Sequence, residues 1–519
     1  MFTFIPYPPA RTADMIHPIP KPEDYDVSPE NGFLSAEPPL QSLPNEYYQP
    51  WEYVVKNLQG LILSKRLRQV VDRMPILSTD QLEDEAQWRR AYSVLAFIAH
   101  AYIWSGDRPH EWVPPTVTLP FMKTCRHLQL PPVATYAGLV LWNWKPIFAD
   151  EPVDTLANLD MIDTFTGSLD EKWFYLISVA IEARGAPLIP LMLHAMEAVN
   201  RGDRAAVTDS LRSFAERLDE LGAMLVRMYD NCDPHVFYHR LRPFLAGSKN
   251  MADAGLPNGV VFDNGGPMNK QRYVQYSGGS NAQSSLIQFF DVALSVQHRP
   301  TGQKAEQSDH NAPKMSANKP PEPSFIHEMR KYMPGRHAQF LAAVEKIANI
   351  RNFVEENKWD RSLSIAFDAC LAMLSAFRDK HIQIVSRYVI VKAGEANRKK
   401  EKEAEEKRRE KHEAAVARGE VDLPVRPKSA AGHRASNGGK DGGEKERKNL
   451  RGTGGTSLIP FLRQARDETG EPAVDVWAKR VLNKGSSSKR ERRQSRMEVQ
   501  GLASVWRVEE GEGGGLCLY

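Results

Sequence analysis

An imidazole falls in line with the apolar face of a long helical pattern in this chain. Between Arg361 and Val391, the residues Leu363, Phe367, Cys370, Leu374, Phe377, His381, Ile384 and Tyr388 follow alternating steps of four and three. That spacing aligns one face of an α-helix. A neutral histidine on a buried face needs a partner at each ring nitrogen. A metal on one nitrogen and a carbonyl or carboxylate on the other is one solution. Two ordinary core neighbours are the commoner solution, and the helix alone does not choose. A second group, YSGGSNAQSSLIQFFDVAL (276–294), sets two glycines and a cluster of small polar residues before an amphipathic helix. Glycine and serine let a backbone approach a flat ligand and offer donors to a carboxylate, although most such segments are plain turns. A third, GTGGT (452–456), suits either a mobile lid or a linker.

The elements that must position these residues are helical. Residues 1–48 are rich in proline, which disfavours both helix and central strand, so an extended arm is expected. Beyond it, Val54, Leu58, Leu61, Leu67, Val70 and Met74 keep roughly helical spacing. Trp88 to Trp104 is apolar almost all round, as a helix buried on most faces would be. Pro131 and Pro132 precede an apolar helix through Tyr136 and Val140. Further helices are read from Trp173 to Ala183 and from Ala205 to Met228, two across Phe325–Glu356 split at Pro334-Gly335, and one over Arg361–Val391. Strand alternation is nearly absent, so the fold class is all-α. From 395 to 450, charges of both signs alternate and then Gly, Ser, Lys and Arg prevail. The first half suits a solvated helix with i,i+4 pairs, and the rest is expected to be disordered. Order returns over 451–485, before a polar tail (486–519) with the basic run KRERRQSR, read as a solvated tail in preference to a nuclear signal.

Composition narrows the class. Hydrophobic residues make up 41% and charged residues 26%, and 68 Lys and Arg against 65 Asp and Glu leave a net charge of +3. That is too little, for this length, to imply a nucleic-acid partner. Cys125, Cys232, Cys370 and Cys517 are far apart with no CxxC, which removes a zinc ribbon, a dithiol redox pair and a CxxCH haem attachment and fits a reducing compartment. With no secretory pattern and no uncharged apolar run of about 18 residues, no membrane association is expected and the location is read as cytoplasmic.

Several blocks together, in order, resemble the indoleamine 2,3-dioxygenase family: SGGSNAQSSLIQFFD (277–291), HEMRKYMPGRHAQFL (327–341), FRDKHIQIVSRYVIVKA (377–393) and RGTGGTSLIPFL (451–462). GFLSAEPPL (32–40), LPPVATYAGLVLWNW (130–144), WFYLISVAIEA (173–183) and FYHRLRPFLAGSKN (237–250) extend the likeness upstream. The resemblance covers about residues 30–395 and 451–465 and, with the charged insert and C-terminal tail, is closest to fungal-type members. It implies a small N-terminal helical domain (49–160) and a larger helical domain (161–394) holding haem b. His381 stands at the proximal iron ligand. Arg378 and Asp291 match a charged pair that supports haem retention. Tyr136, Phe174 and Ser178 match the distal pocket, and Phe237 and Arg242 the contacts to the indole and the amino-acid carboxylate. Gly279 and Ser280 match the loop against haem and the substrate amino group, and Thr453 the mobile lid. Asn281 stands where vertebrate members carry alanine.

The implied reaction is haem-dependent addition of both atoms of O2 to the indole ring of L-tryptophan, giving N-formylkynurenine, the first step of the kynurenine pathway towards NAD. The implied assembly is a monomer. The sequence shows no obvious acid or base on the distal side. Ser178 is assigned to placing the indole N–H or an ordered water, and serine there separates this chain from the tetrameric tryptophan 2,3-dioxygenases with a distal histidine. A non-catalytic haem binder would not need the carboxylate clamp of Arg242.

Overall fold

The computed structural model describes residues 18–303, 324–418, 452–453, 458–483, 498–501 and 504–507. The main helices are α1 (Glu85–Trp104), α2 (Pro115–Leu128), α3 (Leu169–Gly185), α4 (Leu188–Asn200), α5 (Arg204–Val226), α6 (Ser285–Ala293), α7 (Gly335–Ile347), α8 (Arg361–Val385), α9 (Lys392–Ala417) and α10 (Leu458–Thr469). Side-chain caps set several starts. Asp84, Ser168, Asp203, Ser284 and Asp360 each accept the backbone N–H three residues on, satisfying donors that a first turn otherwise leaves unpaired. Strands are short, as expected of an all-α chain. Trp112–Val113 pairs in parallel with Val260–Phe262, which pairs antiparallel with Tyr273–Val274.

The hub of the larger half is α8 lying along α5, with α10 on another side of α8. The stripe Leu363, Phe367, Cys370 and Leu374 is fully buried there, and the Cys370 thiol donates to the Leu211 carbonyl of α5 at 3.0 Å. One apolar core runs from Val27 to Ala473, through both halves of the chain. The segment Leu169–Asn200 is long and apolar enough to cross a membrane, but 72% of its most apolar window is buried inside the protein, as core helices are.

The structure departs from the sequence reading at several elements. The described part of the N-terminal arm is irregular, yet Phe33 and Leu34 are buried; Phe33 sits edge-on to His337 at 5.0 Å and to Phe340 of α7 at 5.9 Å. Phe325–Glu356 forms not two helices but Phe325–Met329, a 3-10 turn, α7 and Ile350–Glu356. The pattern read as one helix over Arg361–Val391 stays α-helical only to Val385 and widens into a π-helical turn, Ser386–Val391. As read from the sequence, the first part of the charged insert is an exposed helix, α9, with i,i+4 pairs such as Arg409–Glu413 at 3.6 Å that add little stability each. The expected disorder of the rest of the insert and of the tail falls mostly outside the described residues.

Candidate active site

Three π-helical turns meet at one cavity: Ala137–Leu141, Phe237–Leu241 and Ser386–Val391. A π-turn inserts a residue into the helical repeat and re-aims the side chains around it, which is why such turns collect at functional sites. Here they carry or flank Tyr136, Leu139, Val140, Phe237, Arg242, Tyr388 and Val389, all of which line the cavity. Tyr388 shows what holds one of them open: its buried hydroxyl donates to the Cys232 carbonyl at 2.6 Å. Nothing in a hydrophobic period announces these turns.

Every residue singled out in the sequence lines this cavity: His381 and Arg378 from α8, Asp291 from α6, Phe174 and Ser178 from α3, with Tyr136, Phe237, Arg242, Gly279, Ser280 and Thr453. Phe174 and Phe237 lie 5.0 Å apart, and Tyr388 meets Phe237 edge-on at 5.6 Å. Arg242 lies over the Tyr238 ring at 5.3 Å; burial lowers its pKa, with Tyr238 opposing, but a guanidinium keeps its charge in any protein setting. The glycines are there for close approach. A side chain on Gly278 would collide with the Leu245 carbonyl, and a Cβ on Gly279 would come within 2.8 Å of the Leu139 side chain. Thr453 is docked on this segment: its hydroxyl donates to the Gly279 carbonyl at 2.7 Å, and its own carbonyl accepts the Gly278 N–H at 3.1 Å. Residues 454–457 of the expected lid lie outside the described residues. Asn281 lines the cavity at its exposed edge.

Two histidines show what a satisfied core imidazole looks like. His100 accepts the Ala134 N–H at Nε2 and bonds the Phe244 carbonyl through Nδ1, each at 2.8 Å; His337, packed on Phe33, has Ser285 Oγ 3.5 Å from Nδ1. His381 makes no hydrogen bond among the described residues and faces the cavity. Burial first, then the charge of Arg378, push its pKa down to about 4, so it is a neutral ring with a free lone pair. No cluster of three His, Cys, Asp or Glu suited to a metal occurs among the described residues. A single protein nitrogen fits a metal whose other ligands come from a macrocycle. The cavity is lined mostly by apolar side chains and reaches from His381 to Arg242. The residues present therefore fit a haem together with a substrate.

A model of the indoleamine 2,3-dioxygenase family matches residues 21–472. The chain belongs to this family. It is 38% identical over 467 residues to an indoleamine 2,3-dioxygenase of Saccharomyces cerevisiae, covering 88% of this chain and 94% of that protein. Similarity extends to a 6-hydroxytryptophan 2,3-dioxygenase of Fusarium equiseti, 39% identical over 371 residues (71% and 85% of the two chains). It also reaches an indoleamine 2,3-dioxygenase of Rattus norvegicus, 30% identical over 458 residues (88% and 96%). Members of the family are haem enzymes, which is the group that the donor set and the cavity accommodate.

One polar group behind the distal wall escapes sequence reasoning. Glu182, one turn beyond Ser178 on α3, is buried, and no cation among the described residues pairs with it. Its Oε1 accepts the Tyr136 hydroxyl at 3.0 Å and the Ser284 hydroxyl at 2.7 Å, while Oε2 has no partner. Burial raises its pKa from 4.5 to about 7, the two hydroxyls resisting. Glu182 does not itself line the cavity; it is hidden from the sequence because it lies on an otherwise apolar stretch.

This shift has a sign that can be tested. Below pH about 4.5 the carboxyl is protonated in both folded and unfolded chains and contributes nothing. Between about 4.5 and 7 the unfolded chain releases the proton more readily, so folding becomes less favourable as pH rises, by up to about 3 kcal/mol above pH 7. Glu182→Gln keeps the shape and removes the charge. Urea unfolding is expected to show wild type and variant nearly equal at pH 4.5, and the variant more stable by about 2–3 kcal/mol at pH 8. A variant that is less stable at both values would mean that Glu182 is a charged structural anchor.

Proposed function

We propose that this chain catalyses haem-dependent addition of both atoms of O2 across the C2–C3 bond of the indole of L-tryptophan, giving N-formylkynurenine, in the cytoplasm and as a monomer. The observation that carries the reading is one apolar cavity that joins an imidazole, His381, with no hydrogen bond among the described residues, to a half-buried cation, Arg242, beside two tilted aromatic rings 5.0 Å apart. A heterocyclic amino acid needs that pairing: an apolar slot for its ring and a fixed charge for its carboxylate. The product would feed the kynurenine pathway towards NAD.

Haem b, when bound, supplies the binding and activation of O2. His381 would hold it through its free ring nitrogen, on a helix steadied by Arg378 and Asp291, with Gly279 and Ser280 allowing the backbone close approach. Phe237 and Phe174 grip the indole face and edge. Arg242 takes the carboxylate in a planar fork, which fixes both the position and the rotation of the ring. Leu139, Val140, Ile181 and Leu225 keep water out, so the reacting carbons are held in one orientation in a dry site. Ser178, at the same wall, is placed to orient the indole N–H or a water.

The test is reduction under anaerobic conditions followed by O2 and L-tryptophan, with the near-ultraviolet absorbance of N-formylkynurenine as readout. Growth of that band supports the reading. Turnover of 6-hydroxytryptophan with none of L-tryptophan would move the substrate to a hydroxylated indole, and no turnover of either would overturn the proposal.

A further inference from the structure

Beyond α6 the chain turns at Ser295, a non-glycine residue with φ of 55°, and brings His298 back against α6. The imidazole is 4% exposed. Its Nε2 lies 3.0 Å from Asp291 Oδ2 and its Nδ1 2.7 Å from Glu468 Oε2. A neutral imidazole has one N–H, so two carboxylate partners are both served only when the ring is protonated. The other ends of these carboxylates are occupied too. Asp291 takes the Arg378 guanidinium at 2.7 Å on each oxygen. Glu468 accepts the Gln464 amide at 2.8 Å and the Arg299 N–H at 3.1 Å. Arg378 also donates to Thr469, which closes a ring of contacts through α6, α8, α10 and the 298–299 segment. Arg299 is paired with Glu471 and also lies 3.7 Å from Glu468, and His327 is a further titratable group beside the ring, its own pKa lowered by burial and Arg330.

The helix that this ring fastens is not remote from the site. Leu458, Phe461, Leu462 and Ala465 of α10 form part of the cavity wall, and Glu468 and Thr469 close its C-terminal end. Asp291 and Arg378, on the other side of the ring, steady the helix that bears His381. With His298 protonated, the two buried anions Asp291 and Glu468 face the two cations Arg378 and His298. Without that proton, one carboxylate confronts a bare ring nitrogen and loses one charge-assisted bond, although Asp291 keeps Arg378 and Glu468 keeps Arg299 at 3.7 Å.

We propose that His298 is a positioning residue, held as an imidazolium, that locks the cavity wall α10 to the Asp291–Arg378 pair, so that closure of the wall and the setting of the His381 helix are one event. This rests on the cavity being the haem site proposed above, but the lock itself is a property of the chain without haem. Its direction with pH follows from the contacts. Burial opposes the charge on His298, but Asp291 and then Glu468 outweigh it and raise its pKa above 6.5. The stabilising contribution is therefore fully present below about pH 6.5 and is lost as pH rises through the folded value.

Hydrogen exchange of the haem-free full chain tests this, read on α10 and corrected for the intrinsic pH dependence of exchange. Wild-type α10 is expected to be protected at pH 6 and to lose protection on going to pH 9, while α4 and α5 change little. His298→Ala should lower α10 protection by on the order of tenfold at pH 6, as the loss of a hydrogen bond between charged groups would, and should erase the pH dependence. Glu468→Gln keeps the ring but removes one anion, and should shift the loss of protection to lower pH. In the same way His298→Ala should weaken haem uptake on the order of tenfold. The His298 ring signal of the wild type, followed by NMR against pH, does not depend on any variant folding. A ring that titrates at or below 6.5, or α10 exchange unchanged by His298→Ala, would overturn the proposal. An enzyme found to use another substrate would overturn the functional reading and leave these exchange results as they are.

Discussion

His381→Ala is expected to purify without a Soret band and to bind added haem at least on the order of a hundredfold more weakly than wild type, which is beyond the roughly 10–100-fold that loss of a mere supporting partner costs a metal site. The reason lies in the contrast among the chain's own histidines. His100 meets a partner at both ring nitrogens, whereas His381 faces the cavity with neither used among the described residues. Removing it breaks no hydrogen bond, so the haem-free variant should unfold at nearly the same temperature as the wild type. Added imidazole, which fits the space left by the ring, should restore part of the haem affinity. The variant separates ligation from packing: unchanged haem binding removes His381 from the role, and a large drop in the haem-free melting temperature makes it a structural residue.

How much of this was legible in the sequence differs from element to element. The apolar stripe of α8 could be read because its steps of four and three repeat without a gap from Leu363 to Tyr388. What periodicity could not show was the widening at Ser386. A π-turn adds one residue per turn, but the apolar spacing over six residues is compatible with either form, and the Tyr388–Cys232 bond that favours it is non-local. The burial of Phe33 was hidden for a similar reason, since its partners His337 and Phe340 lie some 300 residues away in sequence.

The site was legible chiefly as a set of blocks in a familiar order, not as chemistry. Taken singly, His381, the SGGS segment and GTGGT each have a bland alternative, and only the fold brings them to one cavity. Glu182 had no such block to announce it. Its signal was a lone acid on an apolar run, which most often means a solvent-facing position, and burial between Tyr136 and Ser284 becomes visible only once α3 is packed. His298 is the same case with charge: the two carboxylates that fix its proton come from residues 7 and 170 positions away. Buried ionisable groups whose partners are distant in sequence are the part of a site that sequence patterns convey least.

Arg242→Ala is expected to cost about 3–5 kcal/mol in transition-state binding for L-tryptophan, the usual loss when one partner of a desolvated charge-assisted pair is removed. That corresponds to a fall on the order of a hundredfold or more in kcat/KM. The size follows from the surroundings. Arg242 closes a π-turn beside Phe237 and lines a cavity whose other walls are largely apolar, so a substrate carboxylate left without it would be desolvated and unpaired. Haem content and the spectrum of the reduced carbon monoxide form should barely change, because Arg242 acts on the substrate. Arg242→Lys should recover only part of the activity, since a point charge does not reproduce the planar fork that sets the rotation of the indole. Steady-state kinetics on L-tryptophan, set beside an indole lacking the carboxylate, decides the matter. The clamp requires a large loss for the amino acid and a small one for the bare indole, whereas equal losses would place Arg242 in the wall of the cavity and leave the carboxylate to another residue.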